Sequence, residues 1–323
     1  MTQDEHRFLG PGLIPGTLWS PASETLLIPP SLAMAYETLI DRHSLRGLSE
    51  SRDPDNPPVG GPSQDHTDKH FAQAFDGSVA RMELAFLDPK QAAPHASDAL
   101  IGKLAGGRLC LTDAPCGAGA AAFALLSTVA ELRAQRVLPR QPLDVFLIGA
   151  ELSEPARMYA ALMLKELRAS LEAQAIFVQE EFLCWDVTDP LSNTALIKRA
   201  TIRSANAPQR LLVVANFNAF LERDGKRKDA QPQIEELFRY ASGGDSVAIW
   251  IEPDMNRATA QGGLCQWVTG LVVTTCKRFA RLILDPTAAE PVSTCSARFR
   301  LPLRPSQTAR VGLAVMRIDL CSV

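Results

Sequence analysis

From Gly106 onward the chain alternates short apolar runs with longer amphipathic ones, and this alternation narrows the possible folds most. Apolar runs of strand length occur at Arg108–Thr112, Leu143–Ala150, Ile176–Trp185, Arg210–Ala215 and Ser246–Ile251. Helical periodicity fills the intervals Ala120–Leu138, Glu154–Glu172, Leu191–Ser204 and Gln233–Ser242. Strands separated by helices of that length predict βαβ units, hence a parallel sheet covered by helices on both faces. A last helix at Gly263–Ala280 and two strands, Ala297–Leu303 and Arg310–Leu320, complete the pattern. The short connection between those strands predicts an antiparallel pair.

Before Gly106 the pattern differs. Pro11, Pro15, Pro21, Pro29 and Pro30 break the first thirty residues into extended pieces and turns. Ser31 is expected to cap a helix over Leu32–His43. The stretch Gly47–Gln64 is rich in Pro, Gly, Asp and Ser and has Leu48 and Val59 as its aliphatic residues, so it reads as a mobile lid or linker. Phe71, Phe75, Val79 and Met82 stand at helical spacing within a predicted helix from about Asp68 to Phe86, and a shorter helix follows at Ser97–Leu104. The expected organisation is a helical and irregular region, 1–104, followed by an α/β domain, 105–323.

Composition sets outer bounds. With 323 residues and 46% hydrophobic residues, the chain can bury a large core without metal or disulfide support. Net charge is -3, and residues 1–104 hold 8 Lys+Arg against 14 Asp+Glu. No strong basic excess marks a dedicated nucleic-acid binder, although a local patch could suffice. No run approaches the ~20 apolar residues of a membrane span. The acidic first residues lack a signal peptide's basic and apolar regions. The seven cysteines, at 110, 116, 184, 265, 276, 295 and 321, contain no CxxC pair. Together these features lead to the expectation of a cytoplasmic protein without a cysteine zinc site.

In open parallel sheets ligands bind beyond the carboxyl ends of the strands, so the residues that finish each strand matter most. The first strand runs into LTDAPCGAG, in which Gly117 and Gly119 lead directly into a helix. Such a turn lets the backbone approach a ligand; without a ligand it is simply a tight connection. Gly117, Gly119 and Ala122 also fit the GxGxxA dinucleotide fingerprint. Against NAD, that fingerprint calls for an acidic residue about 20 positions on, whereas the next acidic strand end, Glu151, is 34 positions after Gly117. A carboxylate there can accept from a ribose diol or serve as a helix cap. Being open to solvent before a ligand arrives, it is expected to matter little for stability. Asp186 can accept from an adenine amino group or close a turn. Glu180 or Glu181 takes that place if the third strand ends earlier.

The series LTDAPCGAG, GAELS, CWDVTD, VVANFNAF and WIEPDM, in this order, resembles class I S-adenosylmethionine-dependent methyltransferases over about residues 108–320. The resemblance implies a Rossmann-like, doubly wound α/β fold with a seven-stranded sheet whose final strand is antiparallel. It implies S-adenosylmethionine as cofactor, held by Asp113, Cys116, Gly117 and Gly119 around the methionine and ribose. Glu151 would hold the ribose hydroxyls, Leu152 the adenine face, and Asp186 with Val187 the adenine edge. Asn216 and Phe217 would lie near the transferring methyl group, and Asn218 and Glu252 near the substrate.

Methyl transfer is an in-line displacement that needs alignment and sometimes a base. His66 and His70 are four residues apart near a helix start, and with Asn216 they are the candidate catalytic groups. Beside Asp65 and Asp68 the two histidines could also bind a metal, but a third ligand is missing, so no metal is expected. Asn216-Phe217-Asn218-Ala219 lacks the proline pair of NPPY-type nucleobase methylases. Two basic groups keep RNA in play: Lys226-Arg227-Lys228, and Arg298, Arg300 and Arg304. The expected acceptor is a small molecule or a protein side chain. The alternatives are an RNA methyltransferase, associated with the ribosome or not, and a non-catalytic cofactor-binding partner of another enzyme. The sequence carries no sign of a membrane partner and none of oligomeric state.

Overall fold

The computed structural model describes residues 7–52, 58–223, 225–243, 245–254 and 292–320. A 3-10 turn, Pro11–Leu13, precedes two short strands, β1 (Trp19–Ser20) and β2 (Thr25–Leu26). Four helices follow: α1 (Pro30–Arg42), α2 (Arg46–Glu50), α3 (Gln64–Leu87) and α4 (Pro94–Leu104). The alternating part comprises β3 (Gly107–Asp113), α5 (Ala120–Ala134), β4 (Leu143–Ala150), α6 (Glu154–Ala173), β5 (Ile176–Leu183), α7 (Pro190–Ser204) and β6 (Gln209–Ala215). It continues through α8 (Asn218–Arg223), α9 (Arg227–Ala241), β7 (Ser246–Pro253), β8 (Ser293–Leu301) and β9 (Arg304–Asp319).

The strands form one sheet in the order β1-β2-β8-β9-β7-β6-β3-β4-β5. From β7 through β5 every pairing is parallel, and β9 runs antiparallel to both β7 and β8. The long final strand is therefore the reversed one, as the resemblance implies. Among the described residues the sheet has nine strands rather than seven. The extra pair comes from the N-terminal region, where β2 pairs parallel with β8 and β1 antiparallel with β2. Two-residue strands are too short to show any hydrophobic period, which is why the sequence concealed them.

Side chains alternate across the sheet as the pleat requires. Leu109, Leu111, Leu143, Val145, Leu211 and Val213 pack with α1, α3, α4, α5 and α6. Cys110, Ile148, Leu212, Val214 and Trp250 pack on the other face with α7 and α9. Burial on both faces explains the near-continuous apolar runs of the parallel strands. The order reverses between β3 and β6, which makes their carboxyl ends the switch point of this Rossmann-like sheet.

Local chemistry fixes the helix starts nearest the site. The Ser63 hydroxyl accepts from His66 N at 3.3 Å and caps α3; Ser153 does the same for α6, accepting from Ala156 N at 3.3 Å. Ser31 does not cap α1, because the helix begins at Pro30 behind Pro29, without a side-chain cap. The stretch read as a mobile loop from Gly47 is helical through Glu50. There Gln73 Nε2 donates to Leu48 O at 2.7 Å, and Arg52 pairs with Asp76 at 3.3 Å. Residues 53–57 of that stretch and the expected helix Gly263–Ala280 lie outside the described residues.

Candidate functional site

A cavity of about 390 Å³ opens at the carboxyl ends of β3, β4, β5 and β6. Its floor is the turn after β3, where Pro115, Cys116, Gly117 and Ala118 line the wall. Gly117 adopts φ 52, and a methyl group built there meets nothing within 4 Å. The backbone is thus bare towards the cavity, and a side chain would occupy the space a ligand would use.

Glu151 stands beside this turn at the end of β4. Its Oε2 accepts from Gly117 N at 3.1 Å and its Oε1 from Ser153 N at 2.9 Å. Burial raises its carboxyl pKa, and those two hydrogen bonds work against the rise. The expectation of a solvent-open carboxylate is thereby corrected: Glu151 is half-buried and already ties the glycine turn to the start of α6. It lines the cavity together with Leu152. Asp186 and Val187 line it beyond β5, and Asp186 Oδ1 accepts from Thr188 N at 2.8 Å, closing an Asx turn. Glu180 and Glu181 do not compete for this place. Glu180 pairs with Arg168 at 2.9 Å, and Glu181 with Arg199 at 3.2 Å.

Asp113 and Gly119 lie behind the wall. The Asp113 side chain is fully buried beneath the start of α5. Its Oδ2 accepts from Ala122 N at 3.3 Å, and its Oδ1 has no partner. Burial pushes its pKa up to about 7, with the charge of Glu151 adding to the effect. Cys116 is on the wall but nearly buried, and burial raises its thiol pKa well above the ordinary value.

After β6, Asn216 (φ 56) and Phe217 reach the cavity. Asn218 and Glu252, expected near a substrate, do not: both are fully buried off the wall. Glu252 Oε1 accepts from Phe217 N at 3.0 Å, Asn218 N at 2.8 Å and Trp250 Nε1 at 2.8 Å. It therefore holds the start of α8, with a pKa pushed up to about 7 by burial. Asn218 Oδ1 accepts from Arg227 at 2.6 Å.

The roof comes from the N-terminal region. Thr67, His70, Phe71, Phe75 and Ser78 share the cavity-facing side of α3, and residues 58–62 close over them. His70 lines the cavity, whereas His66, one turn earlier, is exposed and off the wall. Burial lowers the His70 pKa to about 4, with the charge of Arg81 assisting. No cluster of three or more metal-type ligands occurs among the described residues. Sequence reasoning missed Arg81. Its Nε donates to Asn216 Oδ1 at 2.8 Å and its Nη2 to Ser78 Oγ at 3.1 Å.

Neither basic group lines the cavity, but Lys226 flanks the wall residue Phe220. Arg227 bonds Asn218 and Glu222, and Lys226 lies 4.7 Å from the Phe220 ring centroid. Arg298 and Arg300 point to solvent from β8, whereas Arg304 opens β9 and does not share their strand. No helix among the described residues is long and apolar enough to cross a membrane.

No family model matches the sequence. No curated protein matches it either. Among solved structures, a Listeria monocytogenes protein named as a candidate class I S-adenosylmethionine-dependent methyltransferase is 12% identical, with a TM-score of 0.34, over 90% of this chain and 88% of that one.

Proposed function

We propose that this protein is an S-adenosylmethionine-dependent methyltransferase acting on a small molecule or a protein side chain. The observation that carries the reading is the Glu151 carboxylate, set at the end of β4 on a cavity wall beside the bare glycine turn that ends β3. The donor set fits the cofactor. Glu151 offers acceptor oxygens for a ribose diol. Leu152 and Val187 offer apolar surface to adenine, and Asp186 an acceptor for its amino group. Cys116 and Gly117 border the methionine end, while Asp113 and Gly119 shape the turn from behind. Bound there, the cofactor supplies an electrophilic methyl group on a sulfonium. In this reading Asn216 and Phe217 border the acceptor, and His70, on the same cavity wall, takes its proton. In this reading residues 105–323 bind the cofactor and residues 1–104 cover it.

Two observations bear on the alternatives. The cavity is open rather than occluded or collapsed, which counts against the non-catalytic cofactor-binding partner of another enzyme. No Lys or Arg lines the cavity among the described residues, which favours a small acceptor over RNA. Titration calorimetry with S-adenosylmethionine, S-adenosylhomocysteine and NAD tests the reading. Both sulfur compounds are expected to bind, and at 100 times the dissociation constant each should add about 2.7 kcal/mol of stability. Binding of NAD with neither sulfur compound overturns the proposal.

A further inference from the structure

We infer that the methyl acceptor is an uncharged, planar aromatic small molecule of the phenol type, slotted between Phe71 and Phe75 of α3 and the Phe217 and Phe220 rings that follow β6, with its hydroxyl towards Asn216 and His70. The inference rests on the methyltransferase reading and deepens it.

Two sets of rings reach the same cavity. Phe71 and Phe75 come from α3, with centroids 5.0 Å apart. Phe71 is stacked on Tyr159 at 4.4 Å and Phe75 on Tyr36 at 5.0 Å, so neighbours on both sides fix the two rings. Phe217 and Phe220 stack on each other at 5.8 Å, with an interplanar angle of 11°. Phe71, Phe75 and Phe217 are buried and offer little ring surface, while half-buried Phe220 offers more. A rigid, largely aromatic wall of this kind favours a planar apolar guest, by burial and by edge or stacking contacts.

Charge narrows the class. Among the described residues no Lys or Arg is on the wall, whereas the carboxylates of Glu151 and Asp186 are. The neighbouring cations stand behind it, Arg81 bonded to Asn216 and Lys226 over the Phe220 ring, so an anionic guest would lose its hydration without a direct ion pair. Burial, with the charge of Arg81, holds the His70 pKa near 4, so His70 meets the guest as a neutral imidazole at physiological pH.

The polar end has a defined direction. Arg81 has only donors to offer, so the Asn216 atom that it meets must be the oxygen. The carboxamide nitrogen is therefore the group that Asn216 can present as donor, which suits a hydroxyl oxygen on the acceptor. As the methyl group moves, the acceptor's O–C bond forms and the donor's C–S bond breaks with its electron pair left on sulfur. The hydroxyl proton passes to His70 and then to solvent. Arg81 touches neither reactant; it is a positioning residue that acts through Asn216.

The test compares 2-naphthol, 2-naphthoate and a short single-stranded RNA as ligands of the full-length protein saturated with S-adenosylhomocysteine, using calorimetry. Transfer of labelled methyl from S-adenosylmethionine is followed in parallel. The expected result is binding of 2-naphthol at least tenfold tighter than 2-naphthoate, with label in the naphthol. Phe220→Leu, a change at a half-buried ring, should weaken naphthol binding about tenfold and shift S-adenosylhomocysteine affinity less than twofold. If S-adenosylhomocysteine binds but naphthoate or RNA is preferred, or naphthol does not bind, this inference is overturned and the methyltransferase reading stands. Failure of S-adenosylhomocysteine itself to bind overturns both.

Discussion

At Gly119 the backbone sits at φ 81, and a methyl group built there would lie 2.2 Å from the Phe123 ring. Gly119→Ala therefore combines backbone strain with a clash in a tightly packed helix start. The expected loss is about 2–4 kcal/mol, read as a lower urea midpoint. Glu151→Ala tests a different balance. It removes the acceptor for Gly117 N and Ser153 N, so folding stability should fall by about 1–3 kcal/mol. On the proposed role it also lowers S-adenosylhomocysteine affinity by roughly tenfold to a few hundredfold. Calorimetry and a urea melt on the same variant separate the two effects, and unchanged affinity in the folded variant removes Glu151 from the cofactor role. The position of Glu151 was legible because a carboxylate ending an apolar strand needs a polar reason to be there, whereas Asp186 lies past the end of β5, in an Asx turn. The same logic failed for Glu252. Its carboxylate also ends an apolar strand, but it turns inward to satisfy amides at the start of α8, and nothing local distinguishes the two cases. Arg81 was illegible for another reason: its partner Asn216 lies 135 residues away in sequence. His66 and His70 have identical sequence signatures, and only the way α3 lies on the cavity tells them apart.

Among elements, α8 depends on a buried carboxylate rather than on its own sequence. Glu252→Leu would strand three donors, at Phe217 N, Asn218 N and Trp250 Nε1, and is expected to cost about 3 kcal/mol or more. Glu252→Gln keeps an accepting oxygen and should lose much less. Urea denaturation of the pair checks this, and equal losses would contradict the assigned role. The segment after α1 makes a second prediction. Its composition suggested a loop, yet Ser49 N bonds Leu45 O at 3.0 Å and Ser51 N bonds Gly47 O at 3.2 Å, with Leu48 O held by α3. Hydrogen exchange at Ser49 and Ser51 is expected to be slower than across Val59–Gly61, where the chain closes over the cavity. Exchange at the same rate in both stretches would restore the loop reading for the whole segment. The sequence concealed α2 because five residues are too few for a period, and what fixes it is a contact with Gln73. The long parallel strands and their helices were readable because burial on both faces writes an uninterrupted apolar run.

For the whole molecule, the buried acids make stability depend on pH in an unusual direction. Asp113 and Glu252 are both fully buried and have pKa values near 7, against about 4 for such groups in an unfolded chain. Glu83, also fully buried and with neither oxygen partnered, is shifted in the same direction by burial. Between about pH 4.5 and 7 the native state thus binds more protons than the unfolded state, and each such group lowers stability by about 1.4 kcal/mol per pH unit as pH rises. His70 opposes this trend. Its folded pKa near 4 lies below the unfolded value of about 6.5, so its contribution falls as pH drops through that interval. One histidine offsets one carboxylate, and the remaining carboxylates set the net slope. The urea midpoint is therefore expected to be higher at pH 5.5 than at pH 7.5, with Asp113→Asn flattening the dependence by about one proton's worth. A midpoint that rises steadily from pH 5.5 to 7.5 in the ligand-free protein would mean that these carboxyl groups are ionised and paired in the native state, contrary to the burial that defines them here.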